Sequence, residues 1–406
     1  MNADAKALAA SFDLEKLTPE FYDDPYPTYR ALRENEPVKR LPSGTVFLTR
    51  YDDLVATYKN TKSFSSDKKR EFAPKYGETP LYEHHTTSLV FNDPPSHTRV
   101  RRLIMGALSP RAIASMEGDL IKLVDGLLDA IAAKGTCELI EDFAASIPIE
   151  VIGNLLDVPH VERGPLRDWS LAILGALEPV VSAEAAARGN KAVTDFLAYL
   201  ETLVARRRAK PGNPERDVLT RLIQGEEGGE RLTEKELLHN CIFLLNAGHE
   251  TTTNLIGNGL VALDRHPDQK QRLIDNPDLT KTAVEEMLRY ESSNQLGNRM
   301  TTEKAELGGV MLEPGTSVTL CIGAANRDPA QFPDPESFDI ARTPNRHLAF
   351  ATGAHQCAGM ALARLEGAIA ISRFLARFPN YAVSGRPVRG GRVRFRGFLS
   401  VPCTVT

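Results

Sequence analysis

"TEKELLHNCIFLLNAGHETTTNLIGNGLVAL", residues 233–263, is the stretch on which the fold turns. Thr233 followed three positions later by Glu236 forms a capping box, in which each residue satisfies an amide that a helix start leaves open. The apolar spacing after it sustains a helix of roughly 30 residues, or roughly 45 Å at the usual rise, enough to cross a whole molecule. A membrane span is excluded by its centre, "NAGHETTTN" (246–254), which is too polar for lipid. Gly248 costs about 1 kcal/mol inside a helix relative to Ala, and a buried Glu250 costs more unless paired. Penalties gathered at one place point to function. The small Ala247–Gly248 pair opens a groove on one helix face, while Glu250 and Thr251 set an ionisable group and a hydroxyl beside it. That combination suits binding a small ligand and moving protons. His249 is read as structural or solvent-facing on the other helix face.

The rest of the chain agrees with a soluble, mainly helical protein. Its 406 residues are 42% hydrophobic and 25% charged, with a net charge of −4 that argues against nucleic acid as a partner. The start, "MNADAKALAASFDLEKLTPE", has no apolar run for a signal peptide or membrane anchor, so a cytoplasmic location is expected. Cys137, Cys241, Cys321, Cys357 and Cys403 are scattered, with no C-x-x-C pair for zinc or redox chemistry. No repeat or Gly/Ser linker divides the chain, so residues 1–406 are expected to form one domain. Helical periodicity is strong in "MEGDLIKLVDGLLDAIAAKG" (116–135) and in 183–209. Strands are few: one hairpin is expected over "PVKRLPSGTVFLTR" (37–50), and another over "GGVMLEPGTSVTL" (308–320) turning at Pro314 and Gly315. The region 330–356 has Pro and Gly signals without a period and reads as an ordered, meandering loop.

That meander leads into "FATGAHQCAG" (350–359), where one Cys lies among glycines. A lone Cys is usually a small buried hydrophobe. Here Gly353 and Gly359 permit unusual backbone geometry and close approach of a large planar group. Loop amides and the N-terminus of the helix that follows would both favour a thiolate at Cys357. Earlier, Glu286 and Arg289 in "TAVEEMLRYE" lie three apart on a helix. With Arg342 they are expected to form a buried network that fixes the meander beneath the Cys loop.

"FATGAHQCAG", "AGHETT", "EEMLR" and "FPDPESFDIAR", in this order and separation, resemble a bacterial cytochrome P-450, a haem-thiolate monooxygenase. The resemblance runs from "DDPYPTYRALRENEPV" to "RFRGFLSVPC", nearly the whole chain. It implies a triangular, mainly α fold with small β-sheets, a long central helix over the haem, haem b as cofactor and Cys357 as the iron's axial ligand. It also implies that Phe350 shields the sulfur, that Ala247, Gly353 and Gly359 border the porphyrin, and that His97, Arg101, Arg299 and His355 bind its propionates. One departure stands out: Ala351 occupies a position where the family often has Gly, which implies a slightly different loop geometry.

The resemblance further implies oxygen insertion into a small or medium organic substrate, with Thr251 and Glu250 handling protons at the dioxygen site. Electrons would come from a separate ferredoxin and its reductase, or a flavodoxin, which "RVRR" (99–102) and Arg364 could attract. A peroxide-driven peroxygenase and a non-catalytic haem sensor are the alternatives. The intact acid–alcohol pair speaks against the first, and the want of an output domain against the second. Phe243, Asn246, Gln295, Leu296 and Phe398 are the expected substrate-pocket residues.

Overall fold

The structure, a computed structural model, describes residues 3–214, 217–225, 229 and 231–405. Its central element is the helix Glu234–Arg265, 32 residues long, which opens on the Thr233–Glu236 capping box. It is buried around most of its circumference by the helices Ser146–Leu155, Leu166–Gly175, Ala183–Ala209, Thr280–Tyr290 and Met360–Arg377. Gly248 allows the closest of these approaches, because a Cβ there would collide with the δ-methyl of Ile152. Ile152 thus packs against the Gly248 side of the expected groove, which Ala247, Gly248 and Thr251 all still border. His249 is not at solvent: it is buried, with Nδ1 3.4 Å from the Ser170 hydroxyl.

The other long helices follow their apolar spacing: Pro110–Lys134, stopped by Gly135 in the left-handed conformation (φ +70°), and Ala183–Ala209. The main sheet has five short strands in the order Val38–Arg40, Val46–Leu48, Ser317–Cys321, Leu296–Thr301, Phe64–Ser65. Its first two strands are the hairpin expected near the N-terminus. The second expected hairpin is displaced. Strands Ala305–Leu307 and Val310–Leu312 pair around Gly308 and Gly309, both at positive φ, whereas Pro314–Gly315 carries the chain into Ser317–Cys321 of the main sheet. Two glycines at positive φ make the tighter reversal, so the proline marks a crossing between sheets.

Residues 330–352 contain no helix or strand and are held by ions instead. Glu286 and Arg289 have 0% exposure and pair through two hydrogen bonds of 2.7 and 2.8 Å. Arg289 also donates to the carbonyls of Asn326, Pro335 and Ser337. Glu286 accepts from Arg342 Nε (3.2 Å), the Asp339 amide (2.9 Å) and the Asn345 side chain (3.0 Å). Every donor and acceptor of the buried pair is thereby engaged, with each other, with the Asn326 carbonyl or with the meander, which is what a buried charge pair requires.

Candidate active site

Between the central helix and the Cys357 loop lies a cavity of about 340 Å³, bordered by Ala247 and Thr251 on one side and by Phe350, Cys357 and Gly359 on the other. Ala247 is exposed although it sits in the middle of a buried helix, so its accessible surface is cavity wall. Opposite, the Cys357 amide donates to the Phe350 carbonyl (2.9 Å) and closes the loop on itself. Burial pushes the Cys357 thiol up, against the Gly359 amide and the charges of Arg101 and Arg364, which pull it down. The Gly359 amide thus acts in the expected direction, and burial opposes it. A metal cation reverses that balance, since a coordinating thiol is deprotonated outright.

Gly359 borders the cavity, and a Cβ there would meet nothing within 4 Å. Gly353, expected beside the porphyrin, does not border it. At φ +75° it presses on the helix Tyr51–Lys59, where a Cβ would stand 2.7 Å from the Tyr58 carbonyl. Ala351 adopts φ +53°, the left-handed conformation that glycine takes freely. For a residue with a Cβ that conformation costs about 1–2 kcal/mol.

One end of the cavity gathers basic side chains. His97 and Arg101 come from the helix Ser96–Ala107, Arg299 from the strand Leu296–Thr301, and His355 from the Cys loop. The rings of His97 and His355 stack with centroids 3.9 Å apart. The Nε2 atoms of both, and Arg299 Nε, are buried with no partner among the described residues. Burial and then the Arg101 charge hold His97 down at about 4. The neighbouring acid, Asp93, is taken by the Ser65 hydroxyl and the Ser66 amide. Donors left open in this way suit a ligand that brings carboxylates. With Cys357 below and Ala247 and Gly359 leaving flat walls, the residues fit an iron porphyrin with two propionates.

The cytochrome P450 family model matches residues 176–386. The biotin biosynthesis cytochrome P450 of Bacillus subtilis is 37% identical over 393 residues, which cover 95% of this chain and 97% of that one. The chain belongs to the cytochrome P450 family. The P450 monooxygenase PikC of Streptomyces venezuelae is 37% identical over 384 residues, 92% of this chain and 89% of that one. Among solved structures, P450BioI in complex with an acyl carrier protein ligated to hexadec-9Z-enoic acid matches with a TM-score of 0.90 at 36% identity, covering 95% of this chain and 99% of that chain. This P450 is thus a monooxygenase-type oxidoreductase of bacterial kind, and its family implies a haem-thiolate cofactor. Among the described residues no helix is long and apolar enough to cross a membrane.

The acid and the alcohol of the P450's central helix face different spaces. Thr251 borders the main cavity and donates to the Ala247 carbonyl (2.7 Å). Glu250, one position earlier and about 100° around the helix, borders a separate small cavity with His249, Asn254 and Arg392. Arg392 Nη1 bonds one of its oxygens at 2.5 Å, and the other, Oε2, has no partner among the described residues. Burial raises Glu250 to about 7 in spite of Arg392.

Of the expected pocket residues, Phe243, Asn246 and Leu296 border the main cavity, and neither amide atom of Asn246 has a partner among the described residues. Gln295 does not border it; its side chain donates to the Ser292 carbonyl (2.7 Å) and the Tyr26 hydroxyl (3.4 Å). Phe398 does not either, lying under the Arg389 guanidinium at 3.9 Å and beside the Glu250 cavity. Their places are taken by Asn294 and Phe395, which pair as an isolated antiparallel bridge. Arg364, expected to attract an electron donor, is held by Glu285 (2.6 and 2.8 Å) and lies over the Phe350 ring. Glu366 and Arg394 border the cavity without any forewarning in the sequence.

Proposed function

We propose that this P450 inserts one atom of dioxygen into a small or medium organic substrate, in the cytoplasm, with electrons from a ferredoxin and its reductase or from a flavodoxin. The observation that carries this reading is the meeting, in one cavity, of Cys357, the open donors of His97, His355 and Arg299, and the Thr251 hydroxyl. Haem b, when bound, supplies the one-electron and dioxygen chemistry, and a thiolate ligand favours O–O cleavage over storage. Cys357 would be that ligand, with Phe350 and the Arg364 guanidinium over it covering the loop. His97, Arg101, Arg299 and His355 would fix the orientation of the group through its propionates.

Thr251 holds a hydroxyl proton at the cavity wall and can turn it from the Ala247 carbonyl toward the dioxygen site. Glu250 is suited to resupply it: an acid titrating near neutrality, with a free oxygen on its own small cavity, takes and gives protons readily. Phe243, Leu296 and Phe395 exclude water from the substrate side. The fatty-acyl complex of the structural relative supports an elongated apolar substrate.

The test is the spectrum of the reduced carbon monoxide complex. Wild type is expected to give the red-shifted Soret band of thiolate ligation, and Cys357→Ala to lose it; an unchanged band sinks the ligand assignment. Product formed from peroxide alone as fast as with an electron-transfer partner would overturn the dioxygen reading in favour of a peroxygenase.

A further inference from the structure

The cavity wall carries a cation that no acid contacts among the described residues. Arg394 borders the cavity and is half-buried. Its guanidinium donates to three neutral oxygens: the carbonyls of Leu177 and Leu296, both at 3.0 Å, and the side-chain oxygen of Asn298. The acid that acts on it most strongly, Glu178, turns its oxygens to the amides of Val393 (2.9 Å) and Arg394 (3.2 and 3.3 Å). The other arginines of the same segment differ. Arg392 pairs with Glu250, Arg396 with Glu291 at 2.5 Å, and Arg389 with Glu291 at 3.6 Å. Nearby Lys68 has Glu71 at 2.7 Å.

A second open group stands beside it. His85 is buried, borders the cavity, and has Nε2 without a partner among the described residues. Burial, then the charges of Lys75 and Arg394, hold it down at about 3, which keeps it neutral and able to donate one hydrogen bond. Asn298, bonded to Arg394, and His84, beside His85, share this part of the wall, and Leu174, Leu177, Phe243 and Phe395 give the cavity apolar surface. A cation shielded from water with no acid in direct contact is under-compensated, and a ligand carboxylate would relieve it.

Resting on the P450 reading above, we propose that Arg394, with His85 alongside, anchors a free carboxylate, so that the substrates of this P450 are amphipathic carboxylic acids with their apolar body in the cavity. A guanidinium–carboxylate fork is the contact best matched in geometry and charge. The proposal commits to the free acid over an ester, an alcohol or a carrier-bound thioester.

The experiment titrates the ferric holoenzyme, at near-neutral pH, with matched acid, methyl ester and alcohol sets on straight-chain and polycyclic skeletons. Binding is read by the low-spin to high-spin shift and independently by calorimetry. At least one acid is expected to bind about tenfold or more tightly than its ester and alcohol, as a charge-assisted hydrogen bond implies. Arg394→Gln should erase that preference while leaving ester affinity within about twofold, and Arg394→Lys should keep part of it. No acid binding better than its ester, or a carrier thioester binding where the acid does not, overturns the proposal. So does an Arg394→Gln protein that weakens all three ligands alike or loses haem, since that places Arg394 in the framework or at the propionates. Should Arg394→Gln fail to fold, the acid–ester comparison on wild type decides alone. Failure of the P450 reading is separate, because it removes the thiolate Soret band before any ligand is added.

Discussion

Glu366 lends itself to a quantitative test. It lies on the helix Met360–Arg377, borders the cavity at 2% exposure, and its Oε2 has no partner among the described residues. Burial is the sole cause that raises it from 4.5 to about 8. Between those two values the native state holds a proton that the unfolded chain releases, so stability falls as pH rises, by up to about 1.4 kcal/mol per pH unit. Integrated from pH 5 to pH 8 the loss is about 3–4 kcal/mol. Glu366→Gln preserves the shape and removes the titration. Its stability should therefore gain on wild type by about 3 kcal/mol over that interval. Guanidinium unfolding of the two holoenzymes, side by side in the same buffers, measures the gap. Glu250 and the buried histidines are common to both proteins and cancel. A gap that stays flat with pH refutes the unpaired, proton-holding acid and means that Glu366 has a partner cation or a water path.

Arg289→Ala leaves buried Glu286 with Arg342 as its one remaining cation among the described residues and should lower stability by about 3 kcal/mol, read from the denaturant midpoint. Ala351→Gly should raise stability by up to about 1 kcal/mol, because relief of the left-handed strain exceeds the added chain entropy; a lower melting temperature would contradict it. Thr251→Val should leave the carbon monoxide spectrum unchanged while product per reducing equivalent falls about tenfold or more. Full coupling in that variant would remove the hydroxyl from the mechanism.

Local chemistry was legible in the sequence wherever one segment contains all the needed information. The capping box sets the start of the central helix by itself, and the Glu286–Arg289 spacing puts both groups on one helix face. Where a side chain points in an extended segment is decided elsewhere. Asn294, and not Gln295, meets the cavity because its backbone bridges to Phe395, a hundred residues away in the chain. A one-residue offset in such a segment turns the side chain to the opposite face, and no local period reveals it. Phe398 missed the cavity for the same reason. Pro314–Gly315 looked like a hairpin turn because its turn chemistry is genuine; which strands it joins depends on pairing across the sheet. Arg394 was invisible because its significance is a missing acid, and absences of that kind exist only in three dimensions.

The arginines at 389–396 give the P450 a particular order of assembly. Arg392 reaches Glu250 across 142 positions, Arg396 reaches Glu291 across 105, and Arg394 reaches the Leu177 carbonyl across 217. During synthesis the central helix leaves the ribosome and can wind its turns long before these cations exist, and contacts of such separation form late. Until then Glu250 has no cation and stays protonated or wet. The Cys357 loop and the cavity groups His97, Arg101 and Arg299 all precede this segment. The cation that faces Glu250 is therefore among the last groups the chain supplies.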